Sequence, residues 1–179
     1  MKIPVTAIRL PTRQGREYKS RFDREQSLLK MLAIPIASVI LASMVTTLPI
    51  FTTEPLLPPF GLLMMLGWRL MRPGLLPVWS GIPFGLMDDL FSGQPFGSAG
   101  LLWSLAMLAL EIIYSRAIWR DYFQDWFIAS LLITAVLLGG LWIAGLAHAA
   151  PEPSLLIPQI ILSILLYPLV VRICARLDS

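Results

Sequence analysis

Residues 31–51 read MLAIPIASVILASMVTTLPIF, twenty-one positions without a charge. Wound as an α-helix, such a run is about 30 Å long, the thickness of a bilayer's hydrocarbon core. It is longer than the apolar region of a secretory signal, and no small-residue cleavage site leading into a polar domain follows it. It therefore reads as an uncleaved first membrane span. The rest of the chain has the same character: of 179 residues 56% are hydrophobic and 14% charged, and the mean hydropathy is +0.74. A soluble domain of this length needs a polar face on most of its elements, which this composition does not supply.

Five further candidate spans follow: Leu56–Leu70, Leu75–Phe91, Ser98–Ile113, Trp126–Ala147 and Leu155–Val171. Runs of this length without period-two alternation suit helices rather than barrel strands. The expected fold is all-α, a polytopic membrane protein with six transmembrane helices over 31–179, preceded by a basic tail over 1–30. The connections are too short for a soluble catalytic domain. Trp68, Trp79, Trp119 and Trp126 lie near predicted helix ends, where interface anchors belong.

The basic residues orient this scheme. With the N-terminus in the cytoplasm and six crossings, the inner pieces are the tail, the 69–74 turn, the 114–125 loop and the C-terminus. The tail holds eight basic residues against three acids, and the other inner pieces hold Arg69 and Arg72, Arg116 and Arg120, and Arg172 and Arg176. These are all fourteen lysines and arginines, and the outer loops at about 52–55, 92–97 and 148–154 hold none. Segregation this complete is the positive-inside pattern, and one helix more or fewer would scatter the arginines over both faces. It predicts a six-span membrane protein with both termini in the cytoplasm.

Within the third span, residues 81–97 read GIPFGLMDDLFSGQPFG. Gly81, Gly85, Asp89, Gly93 and Gly97 recur at every fourth position, so Gly81, Gly85 and Asp89 share one helix stripe. Glycines so spaced let another backbone approach closely. This is the candidate partner-binding or helix-packing face, and a bulky residue at Gly85 is expected to block that approach without unfolding the bundle. Pro83 is expected to bend or end the helix locally. Asp88, rotated by 100°, points elsewhere, toward interfacial water or a partner. Asp88 and Glu111 are the other possible intramembrane acids. Such acids usually turn toward protein, and Glu111 is placed to pair with Arg116, bind a partner or snorkel to the interface.

Trp68 and Pro73 precede this motif in the pattern W-x4-P, and Asp89-Leu90-Phe91-Ser92-Gly93 continues it as D-L-x-S-G. With Tyr167-Pro168 in the last span, these residues resemble the MreD family of rod-shape-determining membrane proteins. The resemblance covers about 68–100, with span count, length and basic termini in agreement. The chain departs from the family in Pro59 and Phe60 after Pro58, in the long tail and in the extra acid Asp88. The resemblance implies a non-enzymatic scaffold that binds an MreC-like bitopic protein. Through it, MreB-type filaments inside are linked, indirectly, to RodA and a class B penicillin-binding protein outside. It also implies a fold similar to the substrate-binding subunits of energy-coupling-factor transporters.

The remaining signals are weaker. The basic tail suits anionic lipid, at about 1 kcal/mol per basic residue near the surface, and no nucleic-acid partner is expected. One cysteine and one histidine exclude an intrachain disulfide and a Cys/His zinc site. No cofactor or metal is expected. Gly139-Gly140 and Gly145 suit either close helix packing or a flexible lipid-facing helix. An intramembrane serine protease needs Gly-x-Ser and a facing histidine, but Gly97-Ser98 has the wrong spacing and His148 lies in a loop. Prenyl transfer needs two acid-rich clusters for magnesium, and aspartyl proteolysis needs two separated, facing aspartates. Adjacent Asp88 and Asp89 satisfy neither. The rival is a vitamin-type binding subunit of a transporter, because short spans broken by Gly and Pro are where transporters build sites, and Ala33-x3-Ala37 resembles the docking face of such subunits.

Overall fold

The structure is a computed structural model, and it describes residues 31–45, 57–92, 95–116, 121–147 and 156–178. The predicted tail, Gly93, Trp119, Arg120 and His148 lie outside the described residues. All regular elements among the described residues are helical: α1 (Met31–Val45), α2 (Phe60–Met71), a 3-10 turn (Val78–Ser80), α3 (Gly81–Ser92), α4 (Ser98–Arg116), α5 (Tyr122–Ala147) and α6 (Leu156–Leu177).

Three of these, α4, α5 and α6, are long and apolar enough to cross a membrane, with 19, 26 and 22 residues. Their lipid-ready surface includes Leu131, Leu138, Trp142 and Leu146, with Trp142 77% exposed. An apolar exterior on this scale suits a lipid solvent and not water. The protein is a membrane protein.

α2 and α3 have twelve residues each, about 18 Å, well short of a full span. α2 instead lies at the centre of the bundle, buried along nearly its whole length from Gly61 to Leu70. A helix apolar all round is a core helix. It starts after Pro58-Pro59 and stops because Pro73 forces Arg72 out of the helical region, to φ −127° and ψ 87°. Gly74, at φ 94°, then makes the left-handed turn that L side chains resist.

The expected third span, Leu75–Phe91, is divided. Pro77 is extended, at ψ 155°, and a 3-10 turn follows before α3 begins at Gly81. Pro83 does not break this helix. It lies in the first turn, where its missing N–H would have no intrahelical partner in any case. α6 does carry an interior proline, Pro168. It removes the amide that would bond the Ile164 carbonyl, and the Trp126 indole N–H of α5 donates to that carbonyl instead, at 3.4 Å.

Cross-helix bonds fix the helix directions. Ser38 of α1 meets Trp68 near the end of α2. Gln159, early in α6, donates to the Leu57 carbonyl before α2 at 2.7 Å, and Arg72 after α2 pairs with Asp178 after α6 at 2.8 Å. Tyr114 late in α4 bonds Asp125 early in α5. The odd-numbered helices therefore run one way and the even-numbered ones the other. This alternation gathers Arg69, Arg72, Arg116, Arg172 and Arg176 at one end of the bundle, called here the basic end.

Candidate functional site

The glycine stripe of α3 faces α4. A Cβ on Gly81 would lie 2.8 Å from the backbone nitrogen of Ser104, and one on Gly85 would lie 2.5 Å from Gly100 Cα and 2.6 Å from the Ala99 carbonyl. Real Cβ atoms do not approach backbone this closely, so the two helices touch main chain to main chain. From the α4 side, a Cβ on Gly100 would meet Leu86 at 3.2 Å. The stripe is thus covered by the protein's own next helix, and a bulky residue at Gly85 would act first on this internal joint.

Asp89 ends the stripe and is 2% exposed. Its carboxylate accepts the amides of Gly97 at 2.8 Å, Ala99 at 2.9 Å and Gly100 at 3.4 Å, and the Ser98 hydroxyl at 3.1 Å. The Ser98 amide goes to the Pro95 carbonyl at 3.0 Å, and the Leu101 amide to Gly97 at 2.9 Å. Every donor at the start of α4 therefore has a partner. A helix leaves its first amides unbonded, and here a carboxylate from a different helix takes up most of them. Its negative charge also sits at the positive end of the α4 dipole. Gly97, at φ 94°, makes the turn that aims these amides back at α3.

Asp88 has a different surrounding. It is half-buried and accepts a hydrogen bond from Ser43 of α1, while its Oδ1 is buried without a partner among the described residues. Ser43 also crowds Gly61 of α2, where a Cβ would collide with the serine hydroxyl and lie 2.9 Å from Trp103. The adjacent acids thus serve different faces: Asp89 joins α3 to α4, and Asp88 joins α3 to α1.

At the basic end, Arg69 is only 8% exposed. It pairs with Glu111 of α4 and donates to the Leu76 carbonyl at 2.6 Å, just before extended Pro77. Glu111 pairs with Arg69, not Arg116, because Arg69 still belongs to α2 and points across to α4. Reading positions 69–74 as a surface turn concealed it. The available clue was an acid and a base at equal depth near the ends of two parallel spans.

Trp68 is not an interface anchor. It is 1% exposed, and its indole N–H donates to Ser38 at 2.8 Å, pinning α1 to α2. Trp79, 67% exposed, does sit where an anchor would. Gly139 is a packing position, since its Cβ would meet the Leu102 side chain at 2.6 Å.

A tryptophan locking two helices, a glycine stripe touching backbone and an acid capping the following helix thus form one internal framework. The family described as rod shape-determining protein MreD matches residues 25–177, most of the chain. The chain belongs to the MreD family. No curated protein and no solved structure matches it. Within this MreD protein the motif W-x4-P reads as lock and stop: Trp68 holds α1, and Pro73 ends α2. Tyr167-Pro168 lies where α6 meets α2 and α5, with Tyr167 fully packed and Pro168 creating the carbonyl acceptor for Trp126. Gly81, Gly85, Asp89 and Gly97 come together at one joint, whereas Asp88 and Glu111 each join a different pair of helices.

Proposed function

We propose that this protein is an inner-membrane scaffold of the machinery that elongates the lateral cell wall. It crosses the membrane six times, with both termini in the cytoplasm, and holds an MreC-like bitopic protein. Through that protein it couples MreB-type filaments inside to RodA and a class B penicillin-binding protein outside, and its basic tail rests on anionic lipid. The observation that carries this reading is the family match over residues 25–177.

The geometry supports a scaffold. Trp68 ties α1 to α2, the glycine stripe packs on α4 backbone, and the carboxylate of Asp89 is engaged with amides rather than presented to a reactant. The short helices suit a six-crossing path only if the bundle shields their ends, as α2 is shielded by its neighbours. The alternating helix directions, with five arginines at one end, support the inward orientation of that end.

Depletion in a rod-shaped host tests the role, and cells that keep their rod shape and wall growth pattern would remove it. Co-purification with an MreC-like single-span protein tests the partner. The threading is tested by labelling intact cells with an impermeant maleimide. Phe96→Cys is expected to react and Ser115→Cys to stay silent, with buried Cys174 giving no background. Labelling at position 115 would overturn the orientation.

A further inference from the structure

At the basic end, the end of α2, the start of α5 and the late part of α6 enclose a cleft of about 320 Å³. That is the lower end of the range for small-ligand pockets. Asp121, just before α5, and Tyr122, Asp125 and Trp126 of α5 line it, with Tyr167 of α6 in its wall. Among the described residues no basic side chain lines it, although it lies among the arginine-bearing helix ends.

Tyr167 is 3% exposed, and its hydroxyl has no hydrogen-bond partner among the described residues. It stands in the field of Asp125 and Tyr122, which also line the cleft. Asp125 already receives the Tyr114 hydroxyl, so it is held in place. Asp121 is exposed and makes no ion pair among the described residues. The cleft therefore offers two carboxylates, an unused phenol oxygen and two aromatic rings.

We propose that this cleft is a receptor for one arginine or lysine side chain carried on a peptide segment. A cation gains from both carboxylates, a guanidinium N–H has Tyr167 Oη as an acceptor, and Tyr122 and Trp126 offer faces for cation–π stacking. An ethanolamine lipid headgroup fits less well, because its phosphate lies beside its ammonium and no basic side chain among the described residues lines the cleft to receive it. The segment belongs either to residues 1–30 of this chain, with their eight basic residues, or to another protein. The inference does not depend on the partners proposed above.

The test uses the full chain in phosphatidylcholine nanodiscs and a fluorescent peptide of residues 13–24, RQGREYKSRFDR. Binding is expected to weaken about fivefold or more with Asp121→Asn and with Tyr167→Phe, at unchanged melting temperature. It is expected to vanish when citrulline replaces arginine and acetyl-lysine replaces lysine in the peptide. Equal binding of the neutral peptide, or indifference to both substitutions, would overturn the proposal. So would phosphatidylethanolamine nanodiscs that suppress binding to the native chain but not to Asp121→Asn, which would make the cleft a headgroup site. A full-length variant with Arg9→Gln, Arg13→Gln, Arg16→Gln, Arg21→Gln and Arg24→Gln separates the sources. Tighter probe binding by that variant assigns the cleft to the protein's own tail, and unchanged binding assigns it to another chain.

Discussion

The two ends of this bundle are held by different chemistry. At the Asp89 end, the joint is made of main chain: two glycines against backbone, and one carboxylate across three amides. At the basic end, the ties run between long side chains: Arg69 to Glu111, Arg72 to Asp178 and Tyr114 to Asp125. Backbone contacts have no rotamers to lose, so they fix geometry strictly and tolerate little substitution. Side-chain ties cost conformational entropy and tolerate rearrangement. The first end is built as a rigid joint, and the second is built where segments can engage and release.

The largest expected effect lies in the rigid joint. In Gly85→Leu the new side chain enters the backbone of Ala99 and Gly100, which no rotamer avoids. Overpacking against backbone should cost about 3 kcal/mol, read as the shift in reversible unfolding in mixed micelles. A midpoint equal to the native one would mean that α3 and α4 do not touch in this way.

Asp89→Asn comes next, and Asp88→Asn is its internal control. The amide keeps one acceptor oxygen but turns an NH2 group toward donors at Gly97 and Gly100 or at Ala99. Loss of charge-assisted bonds, with a donor facing donors, should cost about 2–3 kcal/mol. Asp88 already has one oxygen unpartnered and only Ser43 as a donor, so Asp88→Asn should change stability by less than about 1 kcal/mol. Equal losses in the same unfolding assay would erase the distinction between the neighbouring acids.

That distinction shows how far the sequence could be read. Periodicity placed Gly81, Gly85 and Asp89 on one face because a four-residue spacing is geometric. It did not say what covers the face, since α4 and a foreign helix make the same demand for small residues. The capping role of Asp89 depends on Gly97 turning the chain back, a tertiary fact that spacing alone does not carry. Hydropathy found α4, α5 and α6 well. It placed the start of α3 six residues early, because Leu75, Leu76 and Val78 are apolar whether helical or extended. Arg69 was misplaced for the converse reason: charge density reads as surface unless the partner across the bundle is known. Tyr167 entered only through its resemblance to a family motif, and its unpartnered hydroxyl was invisible to any rule on polarity.

At the side-chain-tied end a smaller effect is expected. Glu111→Gln leaves the nearly buried guanidinium of Arg69 with the Leu76 carbonyl but without its counter-charge. Because Glu111 is itself half exposed, solvent screens part of the loss. A double-mutant cycle of Arg69→Met and Glu111→Gln should give a coupling of about 1–2 kcal/mol. The double variant should therefore lose less stability than the single losses added together. A coupling near zero would show the pair to be incidental to the joint between α2 and α4.

The smallest effect tests how this end absorbs a defect. Pro168 leaves the Ile164 carbonyl without its helical donor, and Trp126 supplies a replacement at a long 3.4 Å. Trp126→Phe keeps an aromatic ring in place and deletes only that N–H. At this distance the bond is weak, so the expected loss is about 0.5 kcal/mol. Pro168→Ala should offset it, because the restored amide bonds the same carbonyl. In Pro168→Ala the Trp126→Phe substitution should therefore cost nothing measurable, and amide-carbonyl infrared bands of isotope-labelled Ile164 should shift in Trp126→Phe alone. Equal costs in both backgrounds would show that Trp126 stabilises α6 by ring packing, with the indole hydrogen irrelevant to it.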